Sequence, residues 1–478
     1  MQFKQNQKEN IDKSSKNAYY LYNSLFWRYS FMKQKNENAS VENIYRLDGR
    51  VPIGKAIPFG VQHILAMFVA NIAPIIIVSG ASGLSGGDLA MLIQNCMFVA
   101  GIGTIVQLYP LWKIGARLPI VMGVSFTFVT IACYVGSTFG YPSLIGAVIV
   151  GGLVEGTLGI FAKYWRKIIS PVVAACVVTT IGLSLLNVGA SSFGGGFGAE
   201  DFGSWKNLGV GAFTLVCCLL FNILAKGVWK QLSVLFGLVM GYALSICLGM
   251  VDFSGLMTGG IISLPKFLPF MPEFNISAII AIVVIFLVSA TETIGDTSAM
   301  VISGLDRDIT EKEISGSLAC DGYMSSVSGL FGCMPITSFS QNVGLIAMTK
   351  VVNRFTIFTG AVCMVLCGLF PPLGAFFSTL PESVLGGCTI MMFGSIVVSG
   401  IQMIIRCGVN QRNTVIIALS LGIGVGFTQV PQIFSMFPEM AQQVLANNCV
   451  AVVFIIAVVL NLVLPKDMEI EKVTSKDK

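Results

Sequence analysis

Between residues 56 and 464 one apolar stretch follows another, and Lys and Arg are almost confined to every second break between them. A membrane-crossing helix needs about 20 mostly apolar residues, because a bilayer gives the backbone no water to bond with. The region has room for about fourteen such spans joined by short loops. Lys4 to Lys55 precede the first stretch. The later basic clusters are Lys113 and Arg117, then Lys163, Arg166 and Lys167, then Lys226 and Lys230. They continue with Arg307 and Lys312, Lys350 and Arg354, Arg406 and Arg412, and the terminal run Lys466 to Lys478. Lys206 and Lys266 alone fall in the other set of breaks. Basic loops stay on the cytoplasmic side. The pattern predicts an even number of spans and two cytoplasmic termini, in a multi-pass protein of the plasma (inner) membrane. Only 11% of the residues are charged, against about 25% in soluble domains.

The polar residues 1–55 read as a solvated cytoplasmic tail without a cleavable signal peptide, with one amphipathic patch at "YYLYNSLFW". Residues 465–478 read as a second tail. Thirteen Cys lie mostly within apolar runs, with no metal-ligand spacing, and His63 is the single His. They read as small apolar fillers rather than a disulfide framework or a zinc site. A membrane enzyme would need a metal, a nucleophile with its base, or a cofactor motif, and the chain offers none of these. No cofactor, metal or nucleic-acid partner is expected.

Two loops on the outer side, residues 189–207 and 252–275, are rich in Gly and Pro. A cut after the second leaves about seven spans on each side, and an odd number forces the second half to insert upside down relative to the first. Carriers built this way place substrate near the midplane, at interrupted helices in matching positions of the halves. "LPIVMGVSFTFV" (118–129) and "CMPITSFSQNVG" (333–344) match in this sense. The first has Pro119, Gly123 and then Ser125-Phe126-Thr127. The second has Pro335, Thr337 and then Ser338-Phe339-Ser340. Pro and β-branched residues favour extended backbone there. The fold class is therefore an all-α polytopic membrane protein, two inverted repeats with short extended breaks in spans three and ten.

An ionisable group at a helix centre costs about 2.5–3.5 kcal/mol to insert, so such groups mark pathways or relays. Glu292 and Asp296 lie four apart in "SATETIGDTSAM" and share a helix face. If both were ionised they would repel, so one is expected to hold a proton or a cation. Asp296 also suits a helix end facing water near Arg307. Asp321 opens "DGYMSSVSGLFG" and is either a proton site or a hydrogen-bonding hub. Glu155 reads as a packed, paired carboxyl. The pair Gln62-His63 lies early in the first span, where His63 is a structural donor or a ligand. Gln341-Asn342 is either a turn or the floor of a site. A Gln side chain presents an acceptor and two donors in one plane, which suits a planar heterocycle with adjacent C=O and N–H groups. Glu292 would accept N–H groups at the opposite edge. Phe126 and Phe339, at the breaks, are placed to stack on the ring faces.

"QNVGLIAMTK" resembles the signature of the nucleobase/ascorbate transporter family, in which Gln, Glu or Pro precedes Asn-x-Gly, with Thr and a basic residue or Gly after four free positions. Gln341, Asn342, Gly344, Thr349 and Lys350 match it. The Gln-His pair at 62–63, "ETIGD" at 292–296 and "DG" at 321–322 fall in the same order, and the likeness spans residues 51–464. The resemblance implies a dimeric symporter with a core domain (residues 56–165 and 276–377) and a gate domain (166–252 and 383–464). It implies a purine nucleobase held by Glu292 and Gln341, with the backbone near Ser125, Phe126, Phe339 and Ser340 assisting. His63 and Asn342 would tune affinity, Gln62 would support the site, and Asp296 and Asp321 would support coupling to a proton, with sodium possible. Gln at 341 is similar to the xanthine and urate branch; uracil carriers tend to have Glu. Val343 departs from the second Asn of many xanthine carriers, which leaves xanthine, urate and guanine open, with a symporter for uracil or another nucleobase as the alternative. An inorganic-anion carrier shares the same plan, but a buried anion calls for a fixed cation, and no Lys or Arg lies deep in a span.

Overall fold

The computed structural model describes residues 41–165, 170–253, 260–408 and 410–465. Most of the N-terminal tail with its aromatic patch, Arg166 and Lys167, part of the second outer loop and the run Lys466 to Lys478 lie outside the described residues. The first half comprises α1 (Ile53–Ala81), α2 (Gly86–Leu108), strand β1 (Met122–Val124), α3 (Val129–Phe139), α4 (Tyr141–Ile160), α5 (Pro171–Phe193), α6 (Trp205–Leu224) and α7 (Ser233–Cys247). The second comprises α8 (Ile276–Leu305), α9 (Glu311–Leu330), strand β2 (Ile336–Ser338), α10 (Ser340–Thr349), α11 (Arg354–Cys367), α12 (Pro371–Ser378), α13 (Glu382–Cys407), α14 (Gln411–Gln429) and α15 (Cys449–Val463).

Among the described residues, eight helices are long and apolar enough to cross a membrane, and the pair α11 and α12, bent by 78°, makes a ninth. The protein is a mostly helical, multi-pass membrane protein. The count falls short of about fourteen because several segments are short or polar. α3 and α15 are short apolar helices. α9 carries a run of small and polar residues, and the reason is its contact with α4. Gly152, Gly156 and Gly159 of α4 meet the Gly322 carbonyl, the Tyr323 ring and the backbone of Ala319. A Cβ on Gly322 would lie 2.0 Å from the Gly156 nitrogen. Small residues let backbones approach this closely, and the packing replaces apolar bulk.

β1 and β2 come from opposite halves of the chain and pair antiparallel, Met122 with Ser338, Gly123 with Thr337 and Val124 with Ile336. A two-stranded sheet buried among helices has two edges whose N–H groups need partners. Each finds a side chain. Met122 N donates to Thr104 Oγ1 (3.0 Å) and Val124 N to Asn71 Oδ1 (2.8 Å). Ile336 N donates to Ser325 Oγ (3.2 Å) and Ser338 N to Asp321 Oδ2 (2.9 Å).

Residues 41–52, counted in the sequence with a solvated tail, are fastened to the helices instead. Val352 N donates to the Ile44 carbonyl (3.0 Å), and Asn353 Nδ2 donates to the Arg46 and Gly49 carbonyls (3.1 and 3.0 Å). Asp48 pairs with Arg354 and, at 3.7 Å, with Arg117. Ile44 and Val51 are buried.

Candidate functional site

The strand pair delivers the first turns of two short helical segments to α8. After β1, the Ser125 hydroxyl caps a 3-10 turn at Phe126–Phe128 by accepting from Thr127 N (3.3 Å). Thr127 Oγ1 then donates to Glu292 Oε2 at 2.5 Å. After β2, α10 begins at Ser340, and Ser340 Oγ donates to Asp296 Oδ2 at 2.6 Å. The Ser340 hydroxyl also lies within reach of Glu292. The two acids sit one turn apart on α8, and each receives a hydroxyl from a different half of the chain.

Behind them Asp321 is fully buried and saturated with donors. Its Oδ2 accepts from Thr293 Oγ1 (2.7 Å) and Ser338 N, and its Oδ1 from Gln107 Nε2 (3.0 Å). Asp321 thereby ties α2, α8, α9 and β2 together. Glu155 was expected to be paired. It is buried beside the α4–α9 contact, and neither of its oxygens has a hydrogen-bond partner in the structure. The neighbouring contact of α4 with α9 is made through Gly156 and Gly322, which bring no side-chain donor.

His63 on α1 and Asn342 on α10 are buried and face one another. Gln62 is half-buried beside His63. Phe126 is half-buried and meets Phe393 of α13 edge-on, with ring centroids 5.3 Å apart. Phe339 is buried against Gly123: a Cβ there would sit 2.9 Å from the ring.

A cavity of about 280 Å³ opens beside Ser340 and Gln341, between α1 on one wall and α7 and α13 on the other. That is close to the lower end of the range for small-ligand pockets, about 300–1,000 Å³. Of the residues singled out in the sequence, Ser340 and Gln341 line it; Glu292 joins it through Ser340, while Phe339 and Ser125 are buried beside the strand crossing and Asn342 against His63. Sequence reasoning placed Thr127 in the first break without a role at the site, and it missed Asn71, Thr104, Gln107 and Ser325. Asn71 carried a signal, an amide inside the apolar run "FVANIAPIII". The hydroxyls of Thr104 and Ser325 carried none, since Ser and Thr are common in spans.

Acids, an amide and hydroxyls gathered at a break in the membrane-crossing helices, next to a small cavity, define a carrier for a small polar solute. The comparisons with known proteins agree. The family model described as Permease family (Xan_ur_permease) matches residues 54–433. Xanthine permease XanQ of Escherichia coli (strain K12) is 35% identical over 443 residues, covering 90% of this chain and 95% of that protein. The xanthine permease of Bacillus subtilis (strain 168) is 33% identical over 414 residues, covering 86% of this chain and 94% of that one. Among solved structures, the transmembrane domain of a cyanobacterium bicarbonate transporter, BicA, aligns with a TM-score of 0.57 over 82% of this chain and 97% of that one. At 14% identity the likeness is one of fold. The chain belongs to the permease family of nucleobase and ascorbate transporters, and it is a permease rather than an enzyme.

Proposed function

We propose that this permease imports a purine nucleobase, xanthine first and urate or guanine as alternatives, by symport with a proton. The relatives named as xanthine permeases support the substrate class. The observation that carries the reading is Ser340, which lies between the α8 acids and the cavity that Gln341 lines. A purine in that corner meets an acceptor at Glu292 for its N–H groups. At its other edge the Gln341 amide offers both a donor and an acceptor. On the β1 side, Phe126 immediately precedes Thr127, the donor to Glu292. Asp296 and Asp321 are the groups for the coupling cation, with His63, Gln62 and Asn342 shaping the wall behind Gln341. Sodium is the alternative coupling ion, since carboxylates serve either.

The working architecture is about fourteen spans in two inverted halves. The breaks at β1 and β2 fall in the third and tenth, and α11 with α12 count as one. The packing supports a division into core and gate: α4 packs on α8 and α9, and α11 on α1 and α2, whereas α5 packs on α13 and α15, and α6 on α7. Movement of one group against the other would expose the site alternately. A tenfold proton ratio supplies about 1.4 kcal/mol, and each charge moved adds about 2.3 kcal/mol per 100 mV. The membrane is the plasma membrane, the termini are cytoplasmic and the assembly is a homodimer.

The test is accumulation of labelled xanthine in proteoliposomes, with pH and sodium gradients imposed separately and a panel of purines and uracil as competitors. Glu292→Gln is expected to abolish accumulation. Normal accumulation by that variant would remove Glu292 from the site.

A further inference from the structure

The cavity does not end at Gln341. It runs along α13, where Ser395 and Ser399 follow Met391 at one-turn intervals, to Asn222 at the end of α6 and to Lys230 and Gln231 just before α7. Its two walls differ in chemistry. The α1 wall is Leu65, Ala66, Val69 and Ala70. The opposite side mixes five apolar side chains of α7 and α13 with Asn222, Lys230, Gln231 and serines, and it holds no carboxylate. Ser395 donates its own hydroxyl to the Met391 carbonyl (2.8 Å) and so faces the cavity as an acceptor. Asn222 uses Nδ2 toward Ser233 Oγ at 3.4 Å and has a second N–H left over. The Lys230 ammonium carries three donors and a positive charge. A slot with one apolar face and one donor-rich edge fits a flat ring whose rim carries carbonyl oxygens.

We propose that this vestibule is a second, weaker subsite for the same substrate on its way to the cytoplasm, with Lys230, Gln231 and Asn222 as donors to its carbonyl edge. The proposal rests on the nucleobase reading above and deepens it. Leaving the first site, the substrate gives up the carboxylate that held its N–H groups and gains donors that hold only its oxygens. Its N–H groups are then satisfied by water, so binding is weaker and release follows. The vestibule therefore selects for purines with two or more exocyclic oxygens, and among them for those that carry negative charge. Hydrogen bonds to a charged group exceed those between neutral groups, so Lys230 is the dominant member.

The experiment compares transport from the two faces in membrane vesicles of opposite, verified orientation, with labelled xanthine as the probe. Wild-type protein is compared with Lys230→Gln and with Ser399→Val, which narrows the slot without touching the charge. The readout is the ratio of the half-saturation constant from the cytoplasmic face to that from the outer face. Lys230→Gln is expected to raise this ratio about tenfold and Ser399→Val about threefold. A ratio unchanged in both variants overturns the subsite. If wild-type vesicles show no saturable xanthine transport from either face, the nucleobase reading fails, and the subsite with it. Saturable wild-type transport with an unchanged ratio removes the subsite alone.

Discussion

The two breaks in the helices, after β1 and after β2, are related by sequence pattern but not by task. Both enter on a Pro, run through a strand and present a hydroxyl to α8, Thr127 to Glu292 and Ser340 to Asp296. The β1 break is closed. Its Gly123 touches Met67, Asn71 and Phe339, Thr127 is buried, and Phe126 leans on α13. The β2 break is open on one side. Ser340 is exposed, Gln341 is half-buried, and both border the cavity. The edges differ as well: β1 is held by neutral groups, Thr104 and Asn71, and β2 by Ser325 and the carboxyl of Asp321. The lesson is that two similar strand-and-turn segments differ in the side chains at their edges, and those side chains decide which is scaffold and which is contact surface.

The largest expected effect breaks the edge on the β2 side. Asp321→Ala orphans three buried donors, at about 1–3 kcal/mol each, so the variant should fail to accumulate in the membrane or unfold far below wild type in detergent. Asn71→Ala on the β1 side orphans a single N–H and should cost about a third as much. Equal losses of thermal stability would erase the difference drawn between the two edges.

A second contrast concerns space. Gly123→Ala forces a methyl group to within 2.4 Å of Met67 and should lower stability by about 1–3 kcal/mol. Gly344→Ala, on α10, meets nothing within 4 Å and lies inside a helix. It should be neutral or raise stability by up to about 1 kcal/mol. Thermal unfolding of the two variants side by side reads the sign directly, and destabilisation at Gly344 would mean that the β2 side is as tightly closed as the β1 side.

The smallest effects separate the two hydroxyls. Thr127→Val removes a donor from Glu292 and should raise the half-saturation constant for xanthine about tenfold. Ser340→Ala removes the donor from Asp296 and should change it only about twofold, while shifting the pH dependence of uptake. Kinetics over a pH series would show whether the α8 acids divide the work in this way.

Much of this was legible in the sequence, and the parts that were not share a physical cause. Apolar run length announced the long helices, and an acid or amide inside such a run announced Glu292, Asp296, Asp321 and Gln341. The partners of those groups were not legible. Gln107 reaches Asp321 across 214 residues of chain, and Thr127 reaches Glu292 across 165. A hydroxyl in a span has no local pattern that distinguishes such a partner from one bonded back to its own helix, as Thr104 also is to the Ala100 carbonyl. The fastening of residues 41–52 was hidden for a related reason. Most of its bonds are to backbone carbonyls, which every sequence has, and the Asp48 ion pairs join residues far apart in the chain.

The central claim is that a flat purine lies between a carboxylate of α8 and the amide that opens α10. A structure determined with xanthine bound examines it most directly. The account predicts Glu292 and Gln341 both within about 3.2 Å of polar atoms on the ring's edge. Xanthine well ordered elsewhere, touching neither side chain, would contradict it.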